Sequence, residues 1–283
     1  MLPRKRALFF LDLGGTKIRI RMIEGLCDHL CRLGYEVQKL RNLPPGLPGC
    51  VRNYDEIFVW NGETERSRIV VDASRKYGKN ISFLEVGYFS QKDHIMLTSG
   101  GSVGGALMRA ESPPSPQDDD HEYLRLFFNR YSLGRDWQDS SCGTVLCLLQ
   151  LAWDMAVRRY SDVKTTQQLV DRVESMFPDD SVLFRRHPKD QKTKIKTRHP
   201  ISTSSSLWDD VLPARIVIAI NSTALYESVL AGKPVVAIGE CPLKIFPTLS
   251  QQRAVVREII ARQIPINSRD ITQFIFRNLK RSF

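Results

Sequence analysis

Residues 215–239, RIVIAINSTALYESVLAGKPVVAIG, leave this chain few ways to fold. Ile216 to Ile220 is a short apolar run rich in β-branched residues, the pattern of a parallel strand buried on both faces. Asn221, Ser222 and Thr223 follow at once, and each is a good helix N-cap. Leu225, Val229 and Leu230 then recur at helical spacing, and Gly232 stands where a helix closes. Lys233-Pro234 leads into a second apolar strand, Val235 to Ile238. Strand, helix and strand in this order form a βαβ unit, the mark of an α/β fold with a parallel sheet. The unit sets hydroxyls and backbone N–H groups at the carboxyl end of a strand, where α/β folds hold anionic ligands. A plain crossover with a well-capped helix has the same local pattern, so the rest of the chain must decide.

The 283 residues suffice for one large or two modest domains, and 42% hydrophobic with 25% charged residues is the balance of a soluble globular protein. No apolar run reaches transmembrane length, and the basic start, Met1 to Arg6, is followed by an apolar run interrupted by Asp12, which is no leader peptide. The expectation is a cytoplasmic protein, with peripheral contact at the inner membrane face as its furthest membrane association. The six cysteines form no CxxC pair; Cys27 and Cys31, one helical turn apart, read as buried reduced thiols, and no metal site is expected. The net charge of +10 calls for an anionic partner, whether nucleotide, nucleic acid, acidic glycan or membrane surface, without choosing among them.

The first half opens as a Rossmann-like domain: a strand over Ala7 to Leu13, a tight turn at Gly14-Gly15-Thr16-Lys17, a helix over Met22 to Leu33 and a strand over Tyr35 to Leu40. LDLGGTKIRI also resembles the phosphate-binding hairpin of ROK and hexokinase sugar kinases. The helical periodicity that follows it, and the lack of an adenosine motif or a Cys/His zinc cluster, argue against that reading. A Pro/Gly-rich loop over 42–52 precedes a strand, Tyr54 to Trp60, that ends in Asn61-Gly62. A helix over Thr64 to Tyr77 leads to a strand, Ile81 to Val86, with Glu85 near its carboxyl end, and a short strand over His94 to Thr98.

ESPPSPQDDD at 111–120 is the clearest break in composition; its aspartates read as a solvated acidic loop. Beyond it come a helix over Glu122 to Tyr131, a strand over Gly143 to Leu151, a helix over Thr165 to Met176 and a strand over Ser181 to Arg185. That strand runs into Arg186-His187-Pro188-Lys189-Asp190, where Pro188 holds His187 extended at the sheet's carboxyl edge. Lys192, Lys194, Lys196 and Arg198 prolong the basic stretch. After the opening βαβ unit come a loop from Cys241 to Leu249 and helices over Val255 to Arg262 and Ile271 to Leu279. The domain boundaries follow: residues 1–112, an acidic linker at 113–121, residues 122–265, and a C-terminal helix at 266–283 that packs back on the first domain.

Together these residues resemble the capsular polysaccharide synthesis family, which includes the Kdo transferases of capsule assembly. Phe58-Val59-Trp60-Asn61-Gly62 is similar to that family's WNG strand end, and Leu84 to Phe89 to its E-x-G-(Y/F) segment, with Ser99-Gly100-Gly101 at the following glycine turn. Leu148 to Asp154 resembles its glutamine strand followed by aspartate, and Arg186 to Asp190 its K-P-H-P-(R/K)-D segment, with Arg185-Arg186 standing where lysine-proline is usual. Asn221-Ser222-Thr223, Glu227 and Gly232-Lys233-Pro234-Val235 match its N-S-T-x-x-x-E-x-x-x-x-G-K-P-V block. The resemblance implies a GT-B glycosyltransferase with two Rossmann-like domains facing a central cleft, an N-terminal acceptor domain and a C-terminal domain for the nucleotide-sugar donor. It implies a donor site of Arg186, His187, Lys189, Asn221, Ser222, Thr223 and Glu227, with a CMP-sugar such as CMP-Kdo favoured and a UDP-sugar as the alternative. Glu85 and Asp154 are the candidates for general base or nucleophile. Gly14, Gly15, Asn61 and Gln150 are assigned to an acceptor or phosphate loop. The acceptor implied is an acidic capsule-type glycan or a glycolipid. A transferase acting on hydroxylated bases of phage DNA, and a non-catalytic nucleic-acid or glycan binding protein on the same scaffold, are the alternatives.

Overall fold

The structure, a computed structural model, describes residues 5–12, 17–89, 91, 94–99, 101, 108, 143–190 and 192–265. The Gly14-Gly15 turn, the acidic linker and the helices expected over 122–131 and 271–279 lie outside these residues. The chain divides into two compact units, residues 1–110 with 261–283, and residues 111–260.

The first unit runs β1 (Arg6–Phe10), α1 (Lys17–Arg32), β2 (Glu36–Leu40), α2 (Leu47–Cys50), β3 (Glu56–Trp60), α3 (Glu65–Lys76), β4 (Asn80–Val86) and β5 (His94–Thr98). Strands β2, β1, β3 and β4 lie side by side in that order and are parallel; β5 adds antiparallel to β4. After their first residues, Arg6 and Glu56, β1 and β3 are apolar at every position because both faces of the sheet are covered there. Ala7, Phe9, Phe58 and Trp60 pack with Ile23, Leu26 and Leu30 of α1. The alternate residues Leu8, Phe10, Ile57 and Val59 pack with Val70 and Val71 of α3. Phe9 and Phe58 are register partners and stack at 4.4 Å between ring centroids, a contact worth about 0.5–1.5 kcal/mol beyond the area it buries.

The second unit runs β6 (Thr144–Leu148), α4 (Met155–Tyr160), α5 (Thr166–Met176), β7 (Val182–Arg185), α6 (Leu207–Val211), β8 (Ala214–Ala219), α7 (Thr223–Leu230), β9 (Val235–Ala237), α8 (Pro242–Ile245) and α9 (Leu249–Arg262). Its sheet is parallel throughout, in the order β7-β6-β8-β9. The chain leaves β6 for β7 on one side and then crosses to β8 on the other, so the strand order reverses between β6 and β8. Ligands of open α/β sheets bind at such reversals, outside the carboxyl ends of the strands. A capping box starts α5, with the Thr165 hydroxyl accepting from the Gln168 N–H at 3.1 Å and the Gln168 side chain accepting from the Thr165 N–H at 3.1 Å.

Several local readings change, among them short helices inside the loops expected over 42–52 and from Cys241 to Leu249. The strand expected through Leu151 stops at Leu148, and the chain turns into the unexpected helix α4. The second half was expected to run through residue 265, but the chain returns to the first unit at 261, where β10 (Gln263–Pro265) pairs antiparallel with β5. The buried Gln263 side chain accepts from the Phe89 N–H at 2.8 Å, a bond between positions 174 apart that no local pattern encodes.

Asn61 and Gly62 both take positive φ, 57° and 68°, at the carboxyl end of β3. A Cβ at position 62 would lie 2.5 Å from a ring carbon of Phe83. Left-handed strain and this clash together make Gly62→Ala destabilising by about 2 kcal/mol or more. Urea unfolding should show a lower midpoint with an unchanged slope.

Candidate functional site

The carboxyl edge of the second sheet is built around a pair of amides. The Gln150 side chain accepts from the Asn221 N–H at 2.9 Å and donates to Asn221 Oδ1 at 3.1 Å. The Asn221 amide donates in turn to the Ala156 carbonyl at 3.1 Å. These bonds bridge β6 and β8 where the strand order reverses, and they tie α4 across the edge. Asn221 is 8% exposed, so its amide is committed to the frame and shapes the site for its neighbours.

Ser222 caps α7 and accepts from the Ala224 N–H at 3.2 Å, which leaves its own O–H to donate outward. Glu227 lies one turn into the same helix. Its carboxyl makes no hydrogen bond or ion pair among the described residues, and burial pushes its pKa up to about 7.

His187 stands at the end of β7, as Pro188 dictates. Its Nδ1 accepts from the Lys189 N–H at 3.1 Å, so the neutral ring carries its proton on Nε2. Burial and the Lys189 charge hold its pKa below the ordinary histidine value, opposed by Asp154 and Asp190. His187 therefore lies within electrostatic reach of Asp154. Asp154 Oδ1 caps α4, accepting from the Ala156 N–H at 2.8 Å; Oδ2 is left uncommitted among the described residues. The basic residues around His187 divide by task. Arg185 turns inward to a buried pair with Asp210 and donates to the Ser204 carbonyl at 3.2 Å. Arg186 donates to the Thr193 carbonyl at 2.6 Å, holding the loop that follows, while Lys189 remains exposed.

The structure thus brings Gln150, Asp154, His187, Asn221, Ser222 and Thr223 to one edge of one sheet. In the first unit, Asn61 and Glu85 end neighbouring strands, and the Asn61 N–H donates to the Leu84 carbonyl at 2.8 Å. Gly14 and Gly15 lie outside the described residues. Asp12 and Thr64 were missed by the sequence reading. The Thr64 hydroxyl donates to Asp12 Oδ2 at 2.6 Å and caps α3 by accepting from the Ser67 N–H at 3.1 Å. That bond spans β1 and β3, where the strand order of the first sheet reverses. The signal available was an aspartate two positions before a glycine pair. Among the described residues, no three His, Cys, Asp or Glu side chains are grouped to hold a metal ion. No described helix is long and apolar enough to cross a membrane.

No family model matches the chain. The Thermosulfurimonas dismutans KpsC beta Kdo 2,7 transferase superposes with a TM-score of 0.60 over 89% of each chain, at 15% identity. The beta Kdo 2,4 transferase of the same KpsC gives 0.58 over 90% of each chain, also at 15% identity. The fold is of the GT-B type. Among curated proteins, FixF of Sinorhizobium fredii is 24% identical over 198 residues, 65% of this chain and 48% of FixF. The chain thus spans about half the length of that relative, and at these identities the likeness to the solved transferases is one of fold.

Replacing Gln150 by Leu strands the buried Asn221 amide and should cost about 2–4 kcal/mol. A double-mutant cycle with Asn221→Leu should return a coupling above about 1 kcal/mol in denaturant titrations. For Glu227, a folded pKa of about 7 against an ordinary 4.5 means that the folded state holds its proton more tightly than the unfolded chain. Stability is lost as pH rises from about 4.5 through 7, by an amount on the order of 2–3 kcal/mol. Glu227→Gln should therefore gain on the wild type between pH 5 and pH 8 in parallel urea melts; equal midpoint shifts at both pH values would refute the assignment.

Proposed function

We propose that this protein is a glycosyltransferase that moves a sugar from a nucleotide-activated donor to an acidic, capsule-type glycan or a glycolipid. A CMP-sugar such as CMP-Kdo is the favoured donor, and a UDP-sugar is its competitor. One observation carries the reading: the His187 Nε2–H after β7, and the Ser222 hydroxyl with the N-terminus of α7 after β8, stand at the carboxyl edge of one parallel sheet whose strand order reverses, on a fold shared with two Kdo transferases.

The chemistry follows from charge. As the bond from sugar to phosphate breaks, the leaving nucleotide gains negative charge. Donors already in place stabilise that charge more than they stabilise the intact donor, and that difference lowers the barrier. The Nε2–H of neutral His187 donates to a phosphate oxygen, the hydroxyls of Ser222 and Thr223 add donors, and the α7 dipole adds partial positive charge. Asn221 and Gln150 hold these groups in register. Glu227 accepts from ribose hydroxyls, which its uncommitted carboxyl suits. Lys189 supplies a positive charge beside the neutral His187.

The acceptor hydroxyl needs a base, or the sugar a transient nucleophile. Asp154 and Glu85 are the two carboxylates proposed for that task. Asp154→Asn isolates the charge, because asparagine caps α4 as well as aspartate does.

Release of free nucleotide from a panel of CMP-, UDP- and GDP-sugars tests the proposal. The expected result is turnover of a CMP-sugar that falls by about 100-fold in His187→Ala. Asp154→Asn or Glu85→Gln should abolish transfer while the donor-induced shift in melting temperature persists. No turnover with any donor, or undiminished turnover in His187→Ala, overturns it.

A further inference from the structure

Residues 192–200, KTKIKTRHP, leave the His187 loop as a strap along the second unit. Exposure alternates along it: Lys192, Lys194, Lys196 and Arg198 face solvent, while Thr193, Ile195, Thr197 and His199 are half-buried. This is the period of an extended chain, and the inward side is firmly held. The Thr193 N–H donates to the buried Asp190 carboxylate at 3.1 Å. Ile195 packs on the core of the unit. Gln167 of α5 clamps Lys196 as a neighbouring strand would, accepting from its N–H at 2.8 Å and donating to its carbonyl at 2.9 Å. The Thr197 hydroxyl donates to Glu174 at 2.6 Å. The Arg198 guanidinium is occupied, donating to the Pro178 carbonyl at 2.9 Å. By contrast, the ammonium groups of Lys192, Lys194 and Lys196 make no hydrogen bond or ion pair among the described residues.

A loop that merely stays soluble needs neither a fixed register nor a single charged face. Here three unpaired cations stand in a row, about 6.5 Å apart from one to the next, on a backbone clamped from behind. We infer that Lys192, Lys194 and Lys196 form a docking row for a linear acidic polysaccharide that carries a carboxylate on each sugar. Lysine ammonium groups are compact point charges that meet carboxylates without a fixed fork geometry. Single-stranded nucleic acid fits less well. It is bound through exposed aromatic rings that stack on bases, and the residues between these lysines, Thr193 and Ile195, are turned inward and carry no ring. The strap begins at the loop that carries His187, so a chain tracked along it leads to the candidate site. Only this last step, that the bound glycan is the acceptor, rests on the proposed transferase function.

Binding to the full-length protein tests the row, with a linear polymer of sialic acid as probe and neutral dextran and oligo(dT) as comparators. Lys192→Gln, Lys194→Gln and Lys196→Gln together should weaken polysialic acid binding by about tenfold or more and flatten its salt dependence. The triple arginine variant at the same positions should retain binding. A charge-matched triple, Lys5→Gln, Lys39→Gln and Lys76→Gln, should change it by less than about threefold. Equal losses in the two glutamine triples overturn the inference, and so does wild-type binding no tighter than to dextran. Preference for oligo(dT) over polysialic acid overturns it in favour of nucleic acid. Nucleotide release from the donor, read in the same preparations, reports on the transfer reading alone. Turnover that persists while the variants fail to discriminate removes this row and leaves the transferase standing.

Discussion

The reciprocal hydrogen bonds between Gln150 and Asn221 are the constraint on which the candidate site depends. They join positions 71 apart in the chain and close the carboxyl edge where β6 and β8 part. A buried amide is costly unless its donors and acceptors are met, and the Ala156 carbonyl accepts a further hydrogen bond from the Asn221 amide. One small network therefore sets the start of α7 against the start of α4. Ser222 and Asp154 inherit their positions from it. Residues that sequence patterns group as a single ligand-binding block thus separate into a frame and a working face.

The charged residues divide in the same way. Arg185 and Asp210 are both nearly buried and neutralise each other, as charges removed from water must. Burial alone would raise the Asp190 pKa, but hydrogen bonds from Thr193 and Lys192 and the charge of Arg186 outweigh it and hold it below the ordinary value. That ionised carboxylate anchors the strap that follows. The cations left over, Lys189 and the row along the strap, are those free to meet an anionic ligand. The net charge of +10 is thus spread unevenly over tasks: part of it maintains the loop around His187 and part faces solvent.

The first unit repeats the device with different chemistry. Its strand order also reverses, between β1 and β3, and there Thr64 bridges to Asp12 while capping α3. In each sheet a polar side chain that follows one strand is bonded to a residue that opens the helix after the other. Each bond keeps the edge of its sheet defined at the place where main-chain pairing ends.

The amino-acid sequence by itself determined the class of the fold and most of its longer elements. Apolar runs such as those around Phe9, Phe58 and Val217, short and bounded by turn residues, read as strands covered on both sides. The residues Thr64, Thr165 and Ser222 mark helix starts, because their side chains replace bonds that the first turn lacks. Pro188 alone placed His187 at a strand end. These are local effects, acting over a few positions through backbone sterics and short-range hydrogen bonds. Tertiary structure decided the rest. The return of Gln263–Pro265 to the first sheet, the burial of Arg185 against Asp210, the task shared by Gln150 and Asn221, and the outward row of Lys192, Lys194 and Lys196 all depend on partners tens to hundreds of positions away. A side chain's hydrogen-bonding capacity is written in its type, but whether that capacity is consumed by the fold or left for a ligand is settled only when the distant partner is packed beside it.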